Sequence, residues 1–202
     1  VAERSGLMAP LGQWVLLSAC RTMRELLDQG LAPCRMAVNV SVVQLQDHGF
    51  AGLVRKALTD SGLQGEHLEL EITESVAVLP TAYLEATLAE LRAMGVSIAI
   101  DDFGTGYSSL SYLERLPLDR IKIDRTFVRQ IAEAKGPRIA EMVTQLGRKL
   151  GLRVLAEGIE DAQVWVALLA MGCQEGQGYH IARPMELPAL LDWLRQRPAV
   201  PA

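Results

Sequence analysis

The sequence has no CxxC pair. Its three cysteines, Cys20, Cys34 and Cys173, are odd in number and far apart. That excludes a disulfide framework and a zinc knuckle, and fits a reducing compartment. Long apolar runs are also missing. Nothing approaches the ~18 consecutive apolar residues of a membrane span, and the most apolar run near the start, residues 11–20, is broken by Gln13 and Ser18. Neither a membrane helix nor a signal peptide is expected, so the chain reads as cytoplasmic. Positive charge is not in excess: 20 Lys and Arg stand against 24 Asp and Glu, for a net charge of −4. A duplex nucleic-acid partner would call for a basic footprint, and none is present. His48, His67 and His180 show no ligand spacing and receive no role. The chain opens without Met, as a piece of a longer protein would.

What is there is ordinary globular composition. Of 202 residues, 50% are hydrophobic and 22% charged, enough for one domain with a sizeable core. Periodicity predicts helices over residues 11–29, 50–61, 81–94, 137–150, 161–171 and 188–195, with a short one near 109–115. Strands are predicted over 36–40, 68–73, 96–100, 120–124 and 153–156, with one or two weaker ones near 173–181. Gly30, Gly62, Gly95, Gly151 and Gly172 stand where helices should stop. Trp14, Trp165 and Trp193 fall on helices and read as packing residues. Strand and helix alternate throughout, and the strands are apolar on both faces, which predicts a parallel sheet covered by helices.

An open doubly wound sheet and a closed barrel both fit that alternation. Polar residues favour the barrel. Asn39, Glu71, Asp101 and Asp102, Lys122 and Asp124, and Glu157 come at or near the C-terminal ends of successive strands. Barrels build their sites on that rim from many strands, whereas open sheets gather ligand groups at one switch point. The expected fold is therefore α/β, a (β/α)8 TIM-type barrel. The strand count is short, and a closed barrel needs at least one more strand upstream of Val1.

The same residues suggest chemistry. Asn39, Glu71, Asp101 and Asp102 offer hard oxygens suited to Mg²⁺ or Mn²⁺. Adjacent aspartates can serve two ions, an arrangement used for in-line attack on phosphodiesters. Lys122 would neutralise charge on the phosphate or the attacking water, and Glu157 suits a general base. Taken singly, each residue has a plainer reading: a turn or helix cap for the Asp pair, a paired core charge for Glu71, a loop Asn, and strand alternation for Lys122. Coincidence at successive strand ends is what favours the site. Gly104-Thr105-Gly106 lacks the third glycine of a dinucleotide fingerprint. Asp102-Phe103-Gly104 has none of the companion motifs of a kinase.

Residues 101–110, DDFGTGYSSL, resemble the signature loop of the EAL family of cyclic-di-GMP phosphodiesterases. VNVS (38–41), EITE (71–74), IKID (121–124), AEGIE (156–160), QGY (177–179) and the RP pair Arg183-Pro184 follow the family's order. The resemblance covers essentially the whole chain and implies one domain over 1–196 with a tail at 197–202. It implies hydrolysis of cyclic-di-GMP to linear pGpG with two Mg²⁺ or Mn²⁺ ions. Asn39, Glu71 and Asp101 would hold the first ion, and Asp101 and Asp102 the second. Lys122 would hold the nucleophilic water, with Glu157 as base and Gln177 as a further polar group. Asp124 and Glu160 would support the site, and Glu74 would hold the 101–110 loop. A homodimer and further sensory or signalling domains are also implied, with membrane attachment possible only through those other domains. The Glu-Ala-Leu motif that names the family is not found at a strand end here. Its glutamate is expected upstream, so the isolated chain should be weakly active or inactive. The competing readings are an inactive cyclic-di-GMP receptor and a metal-dependent barrel acting on another phosphoester.

Overall fold

A computed structural model of the chain describes residues 8–31, 35–78, 82–105, 113–132 and 138–196. The chain divides into two compact units, one of Val1–Leu70, Ala89–Ser97 and Pro184–Ala202, the other of Glu71–Leu88 and Ile98–Arg183. The strands are β1 (Met36–Val40), β2 (Leu68–Thr73), β3 (Ser97–Phe103), β4 (Arg120–Ile123), β5 (Arg153–Glu157) and β6 (Glu175–Gln177). They follow one another through the sheet in chain order. The pairs β3–β4, β4–β5 and β5–β6 are parallel. Parallel neighbours need a crossover, and helices supply it between most strands.

In the first unit α1 (Met8–Asp28) packs on β1, on the short α2 (Val42–Leu45) and on α3 (Phe50–Ser61). Its buried face is Leu16, Cys20, Met23 and Leu26. Trp14 lies off that stripe and is 65% exposed, so it is not the packing residue expected of it. α8 (Leu187–Arg195) also belongs here, with Arg195 donating to Gln29 at 2.9 Å.

In the second unit α5 (Arg125–Ala132) and α6 (Arg138–Leu150) pack on β5, and α7 (Ala162–Met171) packs on both helices. Between the two units' residues in the chain runs α4 (Ala82–Ala93). β2, β3 and β4 are buried almost throughout. In β5 only Val154 and Ala156, the helix-facing pair, are buried, while Leu155 and Glu157 are half-buried. Cys20 and Cys173 are buried free thiols, and burial pushes each thiol's pKa up to about 11.

Most predicted elements are present within a residue or two. Gly62 and Gly172 end α3 and α7 in the left-handed region, at φ 64° and 93°, where a side chain would be strained. Among the described residues two α-helices are additional. α2 is held by a Ser41–Gln44 capping box, and α5 follows β4 directly. The helix expected near 109–115 lies largely outside the described residues, as do the tail at 197–202, the 106–110 part of the signature loop, and Cys34. Among the described residues no helix is long and apolar enough to cross a membrane.

α7 opens with Asp161, whose carboxylate accepts from the Val164 amide at 2.8 Å. Asp161→Ala is expected to cost about 1 kcal/mol of stability, the usual loss of an N-cap. Urea unfolding with an unchanged m-value is the measurement.

Candidate functional site

Lys122 is the second-last residue of β4 and is 3% exposed. A lone ammonium could not be buried so deeply, because desolvation would strip its charge. Three carboxylates surround it. Its Nζ lies 2.7 Å from Glu71 Oε1, 3.0 Å from Asp101 Oδ1 and 2.7 Å from Glu157 Oε1. Glu71 comes from β2, Asp101 from β3 and Glu157 from the end of β5. Burial lowers the ammonium's pKa, but hydrogen bonds to Glu157 and Glu71 outweigh it and hold the pKa above the ordinary lysine value.

Strand pleating sends adjacent residues to opposite faces, so Asp101 and Asp102 should point apart. A bulge in β3 prevents this. Ile100 pairs with Ile121 and Phe103 with Ile123, so three steps on β3 match two on β4. Within the bulge Asp102 takes φ 53°, a left-handed conformation that aspartate tolerates better than most residues. The result is that carboxylate oxygens of Asp101, Asp102 and Glu157 lie within 4.8 Å of one another, a group able to hold a metal ion.

Negative charge is in excess there. Asp102's carboxyl is pushed above the usual range by burial and by repulsion from Asp101 and Asp124. Glu157 is pushed up as well. Burial is the main cause, and Asp101 and Glu71 add to it against the pull of Lys122. A single lysine does not balance this set. Its donors are hard carboxylate oxygens, so the group fits a hard divalent cation such as Mg²⁺ or Mn²⁺.

Supporting contacts fix the bulge. Glu74 is buried and accepts the Gly104 amide at 2.9 Å. The Asp102 carbonyl accepts from the Thr105 hydroxyl at 2.8 Å. Asp124, buried at the end of β4, accepts from the Thr126 amide at 2.9 Å, and its charge adds to the repulsion on Asp102. Gln177 pairs with Glu157 across β5–β6, its side chain exposed. Glu160 is exposed three residues beyond Glu157. Asn39 belongs to the other unit, on the exposed face of β1 between buried Val38 and Val40. Of the residues singled out from sequence, the second unit therefore gathers Glu71, Asp101, Asp102, Lys122, Asp124 and Glu157.

Sequence reasoning missed Thr126 and the pair formed by buried Arg120 and Glu175, whose charged atoms are 2.7 Å apart on β4 and β6. An Asp two residues before a Thr at a strand-to-helix junction was a usable signal for the first. Nothing in the sequence marked the second.

The EAL domain family model matches residues 1–184. This chain belongs to the EAL family. It is 44% identical over 192 residues to the bifunctional diguanylate cyclase/cyclic di-GMP phosphodiesterase MucR of Pseudomonas aeruginosa, covering 95% of this chain and 28% of MucR. It is 42% identical over 196 residues to the cyclic di-GMP phosphodiesterase NbdA of the same organism, covering 96% of this chain and 25% of NbdA. The solved PaMucR phosphodiesterase, a c-di-GMP complex, superposes with a TM-score of 0.89 at 44% identity, covering 94% of this chain and 77% of that one. The α/β fold of TIM-barrel type read from the sequence is the fold of these EAL domains. The chain spans about a quarter to a third of the length of the curated relatives it matches.

Charge balance at the EAL site gives two variants of opposite sign in metal-free protein. Lys122→Met leaves buried Glu71 and Asp101 and half-buried Glu157 without their cation and is expected to cost about 3–5 kcal/mol. Asp102→Asn relieves repulsion and suits the left-handed backbone, so it is expected to raise the melting temperature by about 2–4 °C. Thermal melts in chelator check both.

Proposed function

We propose that this EAL chain hydrolyses cyclic-di-GMP to linear pGpG with the help of two Mg²⁺ or Mn²⁺ ions. The observation that carries the reading is the carboxylate group on β2, β3 and β5 closing on Lys122. The names of the relatives MucR and NbdA supply the substrate class. Glu71, Asp101, Asp102 and Asn39 would hold the ions. When bound, such ions supply charge neutralisation at the phosphate and activation of water.

The chain's own residues do the rest. Glu157 accepts the proton of the attacking water as the new phosphorus–oxygen bond forms. The bond to the 3′-oxygen breaks, and that oxygen is protonated from solvent, leaving a 5′-phosphate. Elevation of Glu157 by burial makes it a better base near neutral pH than an ordinary glutamate. Lys122, held charged by its neighbours, offsets negative charge where the water and phosphate meet. Glu74 holds the Gly104 turn in place, and Asp124 supports the site from the end of β4. Gln177 and Glu160 complete the polar rim. The regulated protein would be a homodimer carrying further signalling domains in the cytoplasm.

Glu157→Gln tests this in the full-length protein. Turnover is expected to fall by roughly 10²–10⁴-fold, while cyclic-di-GMP binding in Ca²⁺ changes little. Excess Mn²⁺ should not restore the rate. Restoration would reassign Glu157 as a metal ligand, which its place beside Asp101 and Asp102 would allow. Tight binding by the unmutated protein with no pGpG release would make it a receptor instead.

A further inference from the structure

We infer that Phe127 is a positioning residue of this site, acting through Gly104 on Asp102. The inference rests on the divalent-cation reading above, and every residue it uses lies in the second unit. Asp102 takes φ 53° although it carries a side chain. Such a conformation is uphill for any residue but glycine, and it persists only where neighbours over-determine it. Hydrogen bonds do part of this. The Asp102 carbonyl accepts from the Thr105 hydroxyl at 2.8 Å and from the Thr105 amide at 3.3 Å, closing a turn over 102–105. Gly104, itself left-handed at φ 96°, donates its amide to Glu74 at 2.9 Å.

Packing does the rest, and Phe127 supplies it. On the side where a side chain would project from Gly104, a Cβ would lie 2.9 Å from Phe127 Cε2 and 3.4 Å from its Cζ, with Ile139 Cγ2 at 3.7 Å. The edge of the ring therefore rests on the glycine itself. The ring is placed by the first turn of α5, where the Phe127 amide donates to the Asp124 carbonyl at 3.0 Å. α5 leaves β4 at once, so the strand that carries Lys122 also carries the ring that steadies the β3 bulge. Without the ring the turn is free to lift and Asp102 to return to extended backbone. Regular pleating then sends its carboxylate to the face opposite Asp101. Phe127 has no oxygen to offer a cation, so its effect on metal binding comes only through where Asp102 stands.

The experiment compares the parent chain, Phe127→Leu and Val128→Ala. Leucine stays apolar but lacks the ring edge that meets Gly104. Val128 is 1% exposed in the same turn of α5, so Val128→Ala costs packing and leaves the ring in place. Hydrogen exchange at the Gly104 amide and melting temperature are measured in chelator, and Mn²⁺ affinity by calorimetry. Phe127→Leu is expected to speed exchange at Gly104 by about 10-fold. Its Kd for Mn²⁺ is expected to rise by about 10-fold, as when the binding conformer falls to about a tenth of the population. Val128→Ala is expected to melt earlier with Gly104 exchange and Kd at the parent's values. A leucine variant that melts earlier but keeps both values would make Phe127 a core residue alone and overturn the inference. Equal shifts in the two variants would also overturn it, because general loosening would then explain them. If Phe127→Leu fails to fold, Phe127→Met is read by the same outcomes. A parent that binds no Mn²⁺ overturns the cation reading and this inference together; a parent that binds, matched by Phe127→Leu, overturns this inference alone.

Discussion

Everything at the site depends on one buried ammonium. Lys122 is almost wholly removed from water, and only contact with Glu71, Asp101 and Glu157 keeps its charge there. The dependence runs both ways. Those carboxylates come from three different strands, and without a central cation they would repel one another across the sheet. Even with Lys122 in place, Asp102 and Glu157 remain harder to ionise than ordinary carboxyls. Such a set is poorly arranged for stability alone. It is well arranged to welcome more positive charge, and EAL relatives named as phosphodiesterases act on a substrate whose phosphates carry the opposite sign.

Strand geometry explains how the set is assembled. Parallel strands in chain order deliver one side chain each to the same end of the sheet, so Glu71, Asp101, Lys122 and Glu157 meet although they span more than eighty positions of sequence. Regular pleating can deliver only one of two adjacent aspartates. The β3 bulge delivers both, and the turn that follows is tied to Glu74 and to the Asp102 carbonyl. Bulges persist beside functional sites because they re-aim a side chain at modest cost.

Much of this was legible in the sequence, for physical reasons that differ by element. β1, β2 and α3 have the predicted bounds because apolar runs of strand length and a glycine stop left little freedom. Charged groups at strand ends stood out against apolar neighbours, so the cluster's members could be named. α5 is not legible because its apolar positions, Phe127, Val128 and Ile131, are few and its cap, Asp124, also reads as a site residue. α2 was missed because a four-residue helix has almost no periodicity, although its Ser41–Gln44 box was readable. β6 has three residues, two of them polar and one glycine, so pairing with β5 defines it rather than composition. Trp14 shows the limit of reading burial from residue type: the helix turns its Leu16–Cys20–Met23 stripe inward and leaves the indole outside. Nor could sequence show that Asp101 and Asp102 share a side, because that follows from a pairing register between distant segments.

The claim that excess negative charge around Lys122 exists to hold a divalent cation is open to direct observation. Crystals of the protein grown with Mn²⁺ and measured at the manganese absorption edge would show where the ion sits. The account predicts an anomalous peak at the carboxylates of Asp101 and Asp102. Manganese found only elsewhere, with Lys122 still bridging an undisturbed Glu71, Asp101 and Glu157, would contradict it.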